Sequence, residues 1–181
     1  MDTDSLSRQI GDLLRQRQLT LAVAESCTGG LLAAHITDIP GSSDYFLGGV
    51  VSYSNQVKER LLRVPARMIK QHGAVSAATA RRMASGVRQL LQADLALAVT
   101  GIAGPSGATP DKPLGLTYVA ISSSEGEQYR RHLWGGDRSQ NREWSAKAAL
   151  ELLLEYLGAE KVARLQSAGP RQALGADHAK T

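Results

Sequence analysis

The residue types best suited to chemistry lie together in one short turn, Glu25 to Gly30, which reads Glu-Ser-Cys-Thr-Gly-Gly. The apolar run from Leu21 to Ala24 predicts a buried strand before this turn, and the Leu- and Ala-rich segment after it predicts a helix. Ser26 would then present its hydroxyl at the carboxyl end of the strand. Gly29 and Gly30 allow close approach of the backbone, and the amides of the first helical turn point to the same place, so an anion or a developing oxyanion is favoured.

Two kinds of function fit this turn. A serine beside such donors is a suitable nucleophile for acyl transfer, although the Gly-x-Ser-x-Gly pattern of the elbow enzymes is absent. A turn that binds phosphate, or one that is merely tight, is the alternative. We therefore treat Ser26 as a candidate nucleophile and predict that Thr28, Gly29 and Gly30 contact the substrate.

Lys58 is the first candidate general base for Ser26. Asn55 predicts a helix start that places Lys58 in the first turn, where the helix dipole disfavours an ammonium. The pKa would have to fall by about three units, on the order of 4 kcal/mol, of which the dipole supplies about a quarter. Burial must therefore supply most of the change. A solvated charge beside Glu59 and Arg60 is the alternative.

Tyr53 and Cys27 are the other reactive side chains near this pair. Tyr53, at the end of the next predicted strand, would donate a hydrogen bond to an oxyanion or to the nucleophile, or would be an ordinary strand aromatic. Cys27 is a rival nucleophile because a thiol at a helix amino terminus has a depressed pKa. Strand alternation directs it away from Ser26, however, which favours a small buried core residue.

A second glycine turn and two arginines are candidate ligands for an anion. Thr100, Gly101 and Gly104 can surround a phosphate or a carboxylate, but their spacing fits neither the P-loop nor the Gly-x-Gly-x-x-Gly fingerprint. Arg138 and Arg142 lie four residues apart and share one face of the last predicted helix. They either bind a phosphate together or pair with neighbouring acids on the surface.

Composition argues against several classes of function. The chain has 181 residues, a formal net charge of +4 and only 4% aromatic residues. Its basic residues alternate with acids, and no aromatic platform accompanies them, which argues against nucleic-acid binding. The four histidines lie in different predicted elements without an acidic cluster, so no metal site is predicted.

The cysteine content and the amino terminus bear on the compartment. A single cysteine permits no internal disulfide, which is typical of a reducing compartment. No apolar run reaches membrane-spanning length, and the first residues are polar and acidic, unlike a secretory signal. We therefore expect a cytoplasmic protein with no membrane partner.

The order of predicted elements indicates an α/β fold. Predicted helices cover about residues 5–18, 31–36, 56–62, 67–71 and 77–91, and a last one, capped by Asp137, extends through Leu157; predicted strands cover about 21–24, 46–53, 93–100, 116–122 and 128–133. The inward positions of the two longest helices are predicted at Met83, Val87, Leu90 and Leu91 and at Trp144, Ala148 and Leu152.

This order predicts a three-layer α/β/α sandwich whose mixed sheet is mostly parallel with one antiparallel strand. Ligands of such sheets bind at the carboxyl ends of the strands, where the candidate turns would meet. We expect one domain over residues 1–165 and a flexible tail over 166–181.

Seven motifs, taken in order, resemble the CinA carboxyl-terminal domain family. They are Ala24-Glu-Ser-Cys-Thr-Gly-Gly30, Gly41-Ser-Ser43, Tyr53-Ser-Asn55 with Lys58, His72-Gly-Ala-Val-Ser76, Thr100-Gly-Ile-Ala-Gly-Pro105, Lys112-Pro113 with Gly115, and Gly136-Asp-Arg138 with Arg142. The resemblance extends from about Leu6 to Leu157.

The resemblance implies a nicotinamide-nucleotide amidase, which hydrolyses nicotinamide mononucleotide to nicotinate mononucleotide and ammonia in pyridine-nucleotide (NAD) salvage. It implies no metal and no other cofactor, and a homodimer or higher homo-oligomer. It also implies that Ser26 is the nucleophile and Lys58 its general base, with Tyr53 close by and with Thr100 and Arg142 in the substrate site. The alternative is a non-catalytic nucleotide-binding or regulatory module that acts through a protein partner.

Overall fold

A five-stranded mixed sheet forms the centre of the molecule. The computed structural model describes residues 1–167, with side chains as far as residue 158. Its strands are β1 Leu21–Glu25, β2 Phe46–Val51, β3 Leu95–Gly101, β4 Leu116–Ser123 and β5 Gly126–Leu133, and its helices are α1 Thr3–Arg17, α2 Leu31–Thr37, α3 Asn55–Leu62, α4 Ala66–His72, α5 Ala77–Leu91 and α6 Arg138–Ser167.

The strand order is β2-β1-β3-β4-β5. β1 pairs in parallel with β2 and β3, whereas β4 is antiparallel to β3 and to β5. One strand, β4, therefore runs against the other four, which confirms the predicted sheet. Because β1, β2 and β3 are parallel, the residues that follow them meet at one edge.

Helices cover both faces of the sheet, and the residues of β1 are accordingly buried on both sides. Its alternate residues Leu21 and Val23 belong to one apolar cluster with α1, α2 and α6, while Ala22 and Ala24 belong to the other with α3 and α5. A strand buried on both faces is expected in a parallel sheet between two helical layers. The predicted three-layer sandwich is confirmed.

Two of the predicted inward positions are wrong. Leu90 of α5 is 48% exposed, whereas its neighbour Leu91 packs against the apolar cluster that contains Met83, Ala84 and Val87. Trp144 of α6 is 38% exposed. It packs on the rim against Trp134, with ring centroids 5.9 Å apart, rather than under the sheet.

Element ends differ slightly from the predictions. β2 ends at Val51 rather than at Tyr53, because its ladder with β1 ends where Glu25 pairs with Val51. The last helix continues past the predicted end at Leu157 to Ser167. The flexible tail predicted for residues 166–181 lies, from residue 168 onward, outside the described residues. No helix among residues 1–167 is both long enough and apolar enough to cross a membrane.

Candidate active site

Ser26 lies at the carboxyl edge of the sheet, directly after β1. Its amide donates to the carbonyl of Val99 in β3 at 3.0 Å, so the backbone is still held by the sheet at this point. The turn that follows reverses the chain into α2, with Gly29 and Gly30 at positive φ of 62° and 101°. This left-handed backbone favours glycine and accounts for the pair.

Lys58 is the nearest charged partner of Ser26. Ser54 caps α3 by accepting the amide of Val57 at 3.3 Å, and this start fixes the direction of the fourth helical residue, Lys58. The Lys58 side chain is 1% exposed. Its Nζ lies 3.0 Å from Ser26 Oγ, so two residues 32 positions apart form one pair.

The environment of Lys58 suits a neutral amine. Its Nζ also donates to the carbonyl of Ser52 at 2.5 Å and, more weakly, to that of Tyr53 at 3.5 Å. No acidic side chain among residues 1–158 forms an ion pair with it. Burial lowers the pKa of Lys58, and the Cys27 thiol opposes this to a smaller extent. A neutral amine would donate two N–H groups to the two carbonyls and direct its lone pair at Ser26 Oγ.

Ser52 holds this arrangement to β1. It is fully buried, and its amide and its hydroxyl both donate to the carbonyl of Glu25, at 2.7 and 3.2 Å. Because Glu25 precedes the nucleophile and the Ser52 carbonyl binds Lys58 Nζ, the base and the nucleophile share one rigid support. Sequence reasoning missed Ser52, since nothing in its spacing indicates that its carbonyl would be used.

Cys27 is a poor nucleophile in this setting. It is 6% exposed and belongs to the apolar cluster under α1, α2 and α6. Burial raises the pKa of its thiol to about 12, despite nearby backbone amides that act in the opposite direction. The thiolate that a cysteine nucleophile requires is therefore disfavoured.

Glu25 occupies the amides that the sequence had suggested for an oxyanion. Its carboxylate is 1% exposed and accepts the amides of Gly30, Leu32 and Ala33 at 3.0, 3.1 and 2.9 Å. The prediction that the first turn of α2 offers unpaired amides to a ligand is therefore wrong. Glu25 caps α2 from the preceding strand, whereas an ordinary N-cap residue lies directly before the first helical residue. Short-range capping patterns therefore do not reveal it.

Replacing Glu25 with glutamine is expected to lower the free energy of unfolding by about 2 to 4 kcal/mol, because amides of α2 lose a charged acceptor and face an NH₂ group instead. Urea denaturation measures the change. Glu59→Gln is the matched control: Glu59 makes no hydrogen bond among residues 1–158, and its loss should cost less than about 0.5 kcal/mol. Equal stability of Glu25→Gln and wild type would contradict the capping role.

A pocket of about 310 Å³ opens over Ser26. It is lined by Ser26, Cys27, Tyr53, Gly101, Ile102, Ala103, Gly104, Ser106, Gly107 and Arg138. Its volume is at the lower end of the range for small-molecule sites. The carboxyl ends of β1, β2 and β3 and the start of α6 thus form one site.

Arg138 spans the mouth of this pocket. Its guanidinium donates to the carbonyl of Gly104 at 2.7 Å and to the hydroxyl of Tyr53 at 3.0 Å. Tyr53 is 61% exposed, and it is its carbonyl, not its hydroxyl, that approaches Lys58. The predicted residues Tyr53, Gly101, Gly104 and Arg138 therefore lie with Ser26 in one pocket.

The remaining predicted ligands lie outside the pocket lining. The hydroxyl of the buried Thr100 donates to the carbonyl of Ala74 at 2.9 Å, and Arg142 donates to the carbonyl of Thr28 at 2.7 Å. The Thr28 hydroxyl is buried and has no hydrogen-bond partner among the described residues. Gly29 lies beside Arg142. Thr100 and Arg142 therefore donate to backbone carbonyls and do not line this pocket.

Residues 1–158 contain no group of three or more His, Cys, Asp or Glu side chains close enough together to hold a metal ion. The polar groups that line the pocket are hydroxyls, a thiol, backbone groups and one arginine, and the buried Lys58 contacts one of these hydroxyls, that of Ser26. This set is suited to proton transfer and to binding of an anionic substrate.

Comparison with known sequences gives one consistent family. A family model for the CinA C-terminal domain matches residues 3–157. A putative competence-damage inducible protein of Halothermothrix orenii is 54% identical over 157 residues, and a CinA-like protein of Desulfotalea psychrophila is 50% identical over 156 residues. Each match covers 86% of this chain but only 38% of the relative, so the chain spans well under half the length of these relatives.

Comparison with solved structures indicates the same family. The crystal structure of competence/damage inducible protein CihA from Agrobacterium tumefaciens matches with a TM-score of 0.84 at 38% identity, over 87% of this chain and 96% of that one. A CinA superfamily protein from Klebsiella pneumoniae matches with a TM-score of 0.85 at 31% identity, over 88% and 99% of the two chains. Residues 3–157 include the whole sheet and every residue that lines the Ser26 pocket.

Proposed function

This chain belongs to the CinA carboxyl-terminal domain family, and from that premise we propose that it is an amidohydrolase that converts nicotinamide mononucleotide to nicotinate mononucleotide and ammonia. The observation that supports this most strongly is the buried pair of Ser26 and Lys58, with Nζ and Oγ 3.0 Å apart. A hydroxyl held against a desolvated amine is the arrangement of an activated nucleophile. Salvage of pyridine nucleotides would place the reaction in the cytoplasm.

In the first half of the reaction, Ser26 supplies the nucleophile and Lys58 transfers the protons. Neutral Lys58 accepts the proton of the Ser26 hydroxyl while Oγ attacks the carboxamide carbon, which gives a tetrahedral intermediate. Lys58, now an ammonium, returns this proton to the amide nitrogen. The carbon–nitrogen bond then breaks, ammonia leaves, and the nicotinoyl group remains as an ester on Ser26.

The second half repeats these roles with water. Lys58 accepts a proton from water, the resulting hydroxide attacks the ester carbon, and the proton passes to Ser26 Oγ as the acid is released. The oxyanion of both intermediates needs a backbone donor on the Ser26 side of the pocket. The Ser26 amide is bound to Val99 and that of Gly30 to Glu25, so we assign this role to the amide of Cys27, the residue after the nucleophile.

Arg138 is the cation that we assign to the 5'-phosphate. Arg138 is exposed and lines the Ser26 pocket together with the buried residues Cys27 and Ala103. A planar guanidinium is well suited to phosphate oxygens. The nicotinamide ring would then enter the pocket with its carboxamide toward Ser26 and leave the phosphate near the surface.

Arg138→Met is expected to raise KM for nicotinamide mononucleotide roughly 10- to 100-fold with little change in kcat, because a charged hydrogen bond to phosphate is lost. Steady-state assays with nicotinamide riboside, which lacks the phosphate, are the control. The substitution also removes the contacts with Tyr53 and Gly104. An equal rise in KM for both substrates would assign Arg138 to pocket structure and contradict the phosphate role.

The activity itself is tested with purified protein and nicotinamide mononucleotide, with ammonia and nicotinate mononucleotide measured together. Formation of both in equal amounts is expected. Binding of the mononucleotide without turnover would reject the amidase and favour a non-catalytic nucleotide-binding module.

A further inference from the structure

Three successive carbonyls at the end of α4 accept side chains, and two of these side chains come from distant parts of the chain. The carbonyl of His72 accepts Nζ of Lys112 at 2.6 Å, and that of Ala74 accepts the hydroxyl of Thr100 at 2.9 Å. Between them, the carbonyl of Gly73 accepts the hydroxyls of Ser76 and Thr79 at 3.0 and 2.8 Å. The turn between α4 and α5 is thus tied to β3 through Thr100 and to a second segment through Lys112.

That second segment is the pocket loop, defined here as residues 102–115. Its base is closed by hydrogen bonds from Ile102 N to Leu116 O at 2.8 Å and from Gly115 N to Ile102 O at 2.7 Å. Its tip is a tight turn in which Thr109 and Lys112 exchange backbone hydrogen bonds of 2.9 and 3.0 Å. Residues 105–111, which include part of this tip, are exposed.

The pocket loop forms one wall of the Ser26 pocket. Five of its residues line the pocket: Ile102, Ala103, Gly104, Ser106 and Gly107. Ser26 and Lys58, by contrast, are held by β1, β3, α3 and Ser52, which follows β2. A change that loosens the loop would therefore affect the space for a ligand more than the geometry of the reacting pair.

Gly73 gives Lys112 its position on α4. A Cβ at Gly73, whose φ is +82°, would collide with Lys112 Nζ. The ammonium lies at the carboxyl end of α4, where the helix dipole favours a cation. Glycine is thus required here for the backbone conformation and for the close approach of the lysine.

We propose that Lys112 is a positioning residue for substrate binding: it fastens the tip of the pocket loop to the end of α4 and so holds the wall that faces Ser26. This inference rests on the proposed amidase function for its kinetic consequence, but not for its structural one. Lys112 is not among the residues that line the Ser26 pocket, and its Nζ donates to the His72 carbonyl. Its effect passes through the Ile102 to Gly107 wall.

Lys112→Met removes the donors while keeping the length of the side chain. KM for nicotinamide mononucleotide should rise about tenfold while kcat changes less than about twofold, because the reacting pair is untouched. Lys70→Met is the matched control, since Lys70 is an exposed lysine of α4 with no hydrogen bond or ion pair among the described side chains. It should leave both constants unchanged.

Hydrogen exchange gives a readout that does not depend on activity. In Lys112→Met, amides of residues 102–115 should exchange faster than in the wild type, while those of β1 and α3 should not. Lys112→Arg, which retains a donor for the His72 carbonyl, should restore part of the protection and part of the KM.

The outcomes separate the two proposals. Unchanged exchange of residues 102–115 in Lys112→Met would overturn the positioning role whatever the activity. A loss of kcat with unchanged KM would also overturn it. Absence of amidase activity in the wild type would contradict the proposed function instead. Hydrogen exchange of residues 102–115 would still show whether Lys112 fastens the pocket loop.

Discussion

Replacing Lys58 with methionine is expected to lower kcat for nicotinamide mononucleotide about a thousandfold and to change KM less than about twofold, since general-base catalysis typically contributes factors of 10² to 10⁴. Methionine fills the space of the lysine stem but cannot accept the Ser26 proton. Steady-state kinetics measure both constants, and Lys70→Met controls for loss of a lysine. A variant with normal kcat and raised KM would show that Lys58 binds substrate and is not the base.

The pH dependence gives Lys58 a second signature. Because burial lowers its pKa, wild-type kcat/KM should rise with pH on a limb below the ordinary lysine range, as the ammonium becomes the reactive amine. Lys58→Met should lose this limb. A limb that persists in the variant would belong to another group.

The lowered pKa of Lys58 should also make the stability of the protein rise with pH. Between the lowered pKa of the folded protein and the ordinary pKa, the unfolded chain binds more protons at Lys58, so the stability contributed by this group rises with pH. As the pH is raised from neutrality, the free energy of unfolding of the wild type should therefore increase relative to that of Lys58→Met. Urea denaturation at two pH values measures it.

Replacing Ser26 with alanine is expected to lower kcat by about 10⁴-fold or more, since no covalent intermediate can form and the loss of a nucleophile removes the action of its base as well. The fold should be retained, because the amide of residue 26 stays bound to the Val99 carbonyl and Lys58 Nζ keeps the carbonyls of Ser52 and Tyr53. Ammonia release at high enzyme concentration sets the residual rate.

Cys27→Ala is the control for this experiment. Its thiol is buried with a raised pKa, so the variant should retain most of the activity, with some loss of stability from the small cavity. The reverse pattern, an active Ser26→Ala and an inactive Cys27→Ala, would move the nucleophile to the thiol.

The turn after β1 shows what the sequence alone could predict. An apolar run, two glycines and a following apolar helix are local signals, so the position of Ser26 at the sheet edge could be inferred from residues 21–36. The same local signals misassigned the amides of α2. They fail there because the acceptor is a charged side chain, Glu25, that folds back over the turn.

The burial of Lys58, by contrast, could not be predicted from its neighbours in sequence. Its neighbours Glu59 and Arg60 give it the appearance of a surface charge, and only the packing of α3 against the sheet reveals that it is 1% exposed. Burial of a lysine depends on contacts between elements distant in sequence, which periodicity does not encode. The hydrogen bond of Thr100 is a similar case: its position at the end of β3 was predicted, but not the Ala74 carbonyl that accepts its hydroxyl.

The measurement that tests the central claim most directly is ammonia release from nicotinamide mononucleotide by the wild type and by Ser26→Ala, side by side and with a chelator present. We expect release by the wild type alone, matched by an equal amount of nicotinate mononucleotide. Equal release by both proteins, or none by the wild type, would contradict an amidase that depends on Ser26.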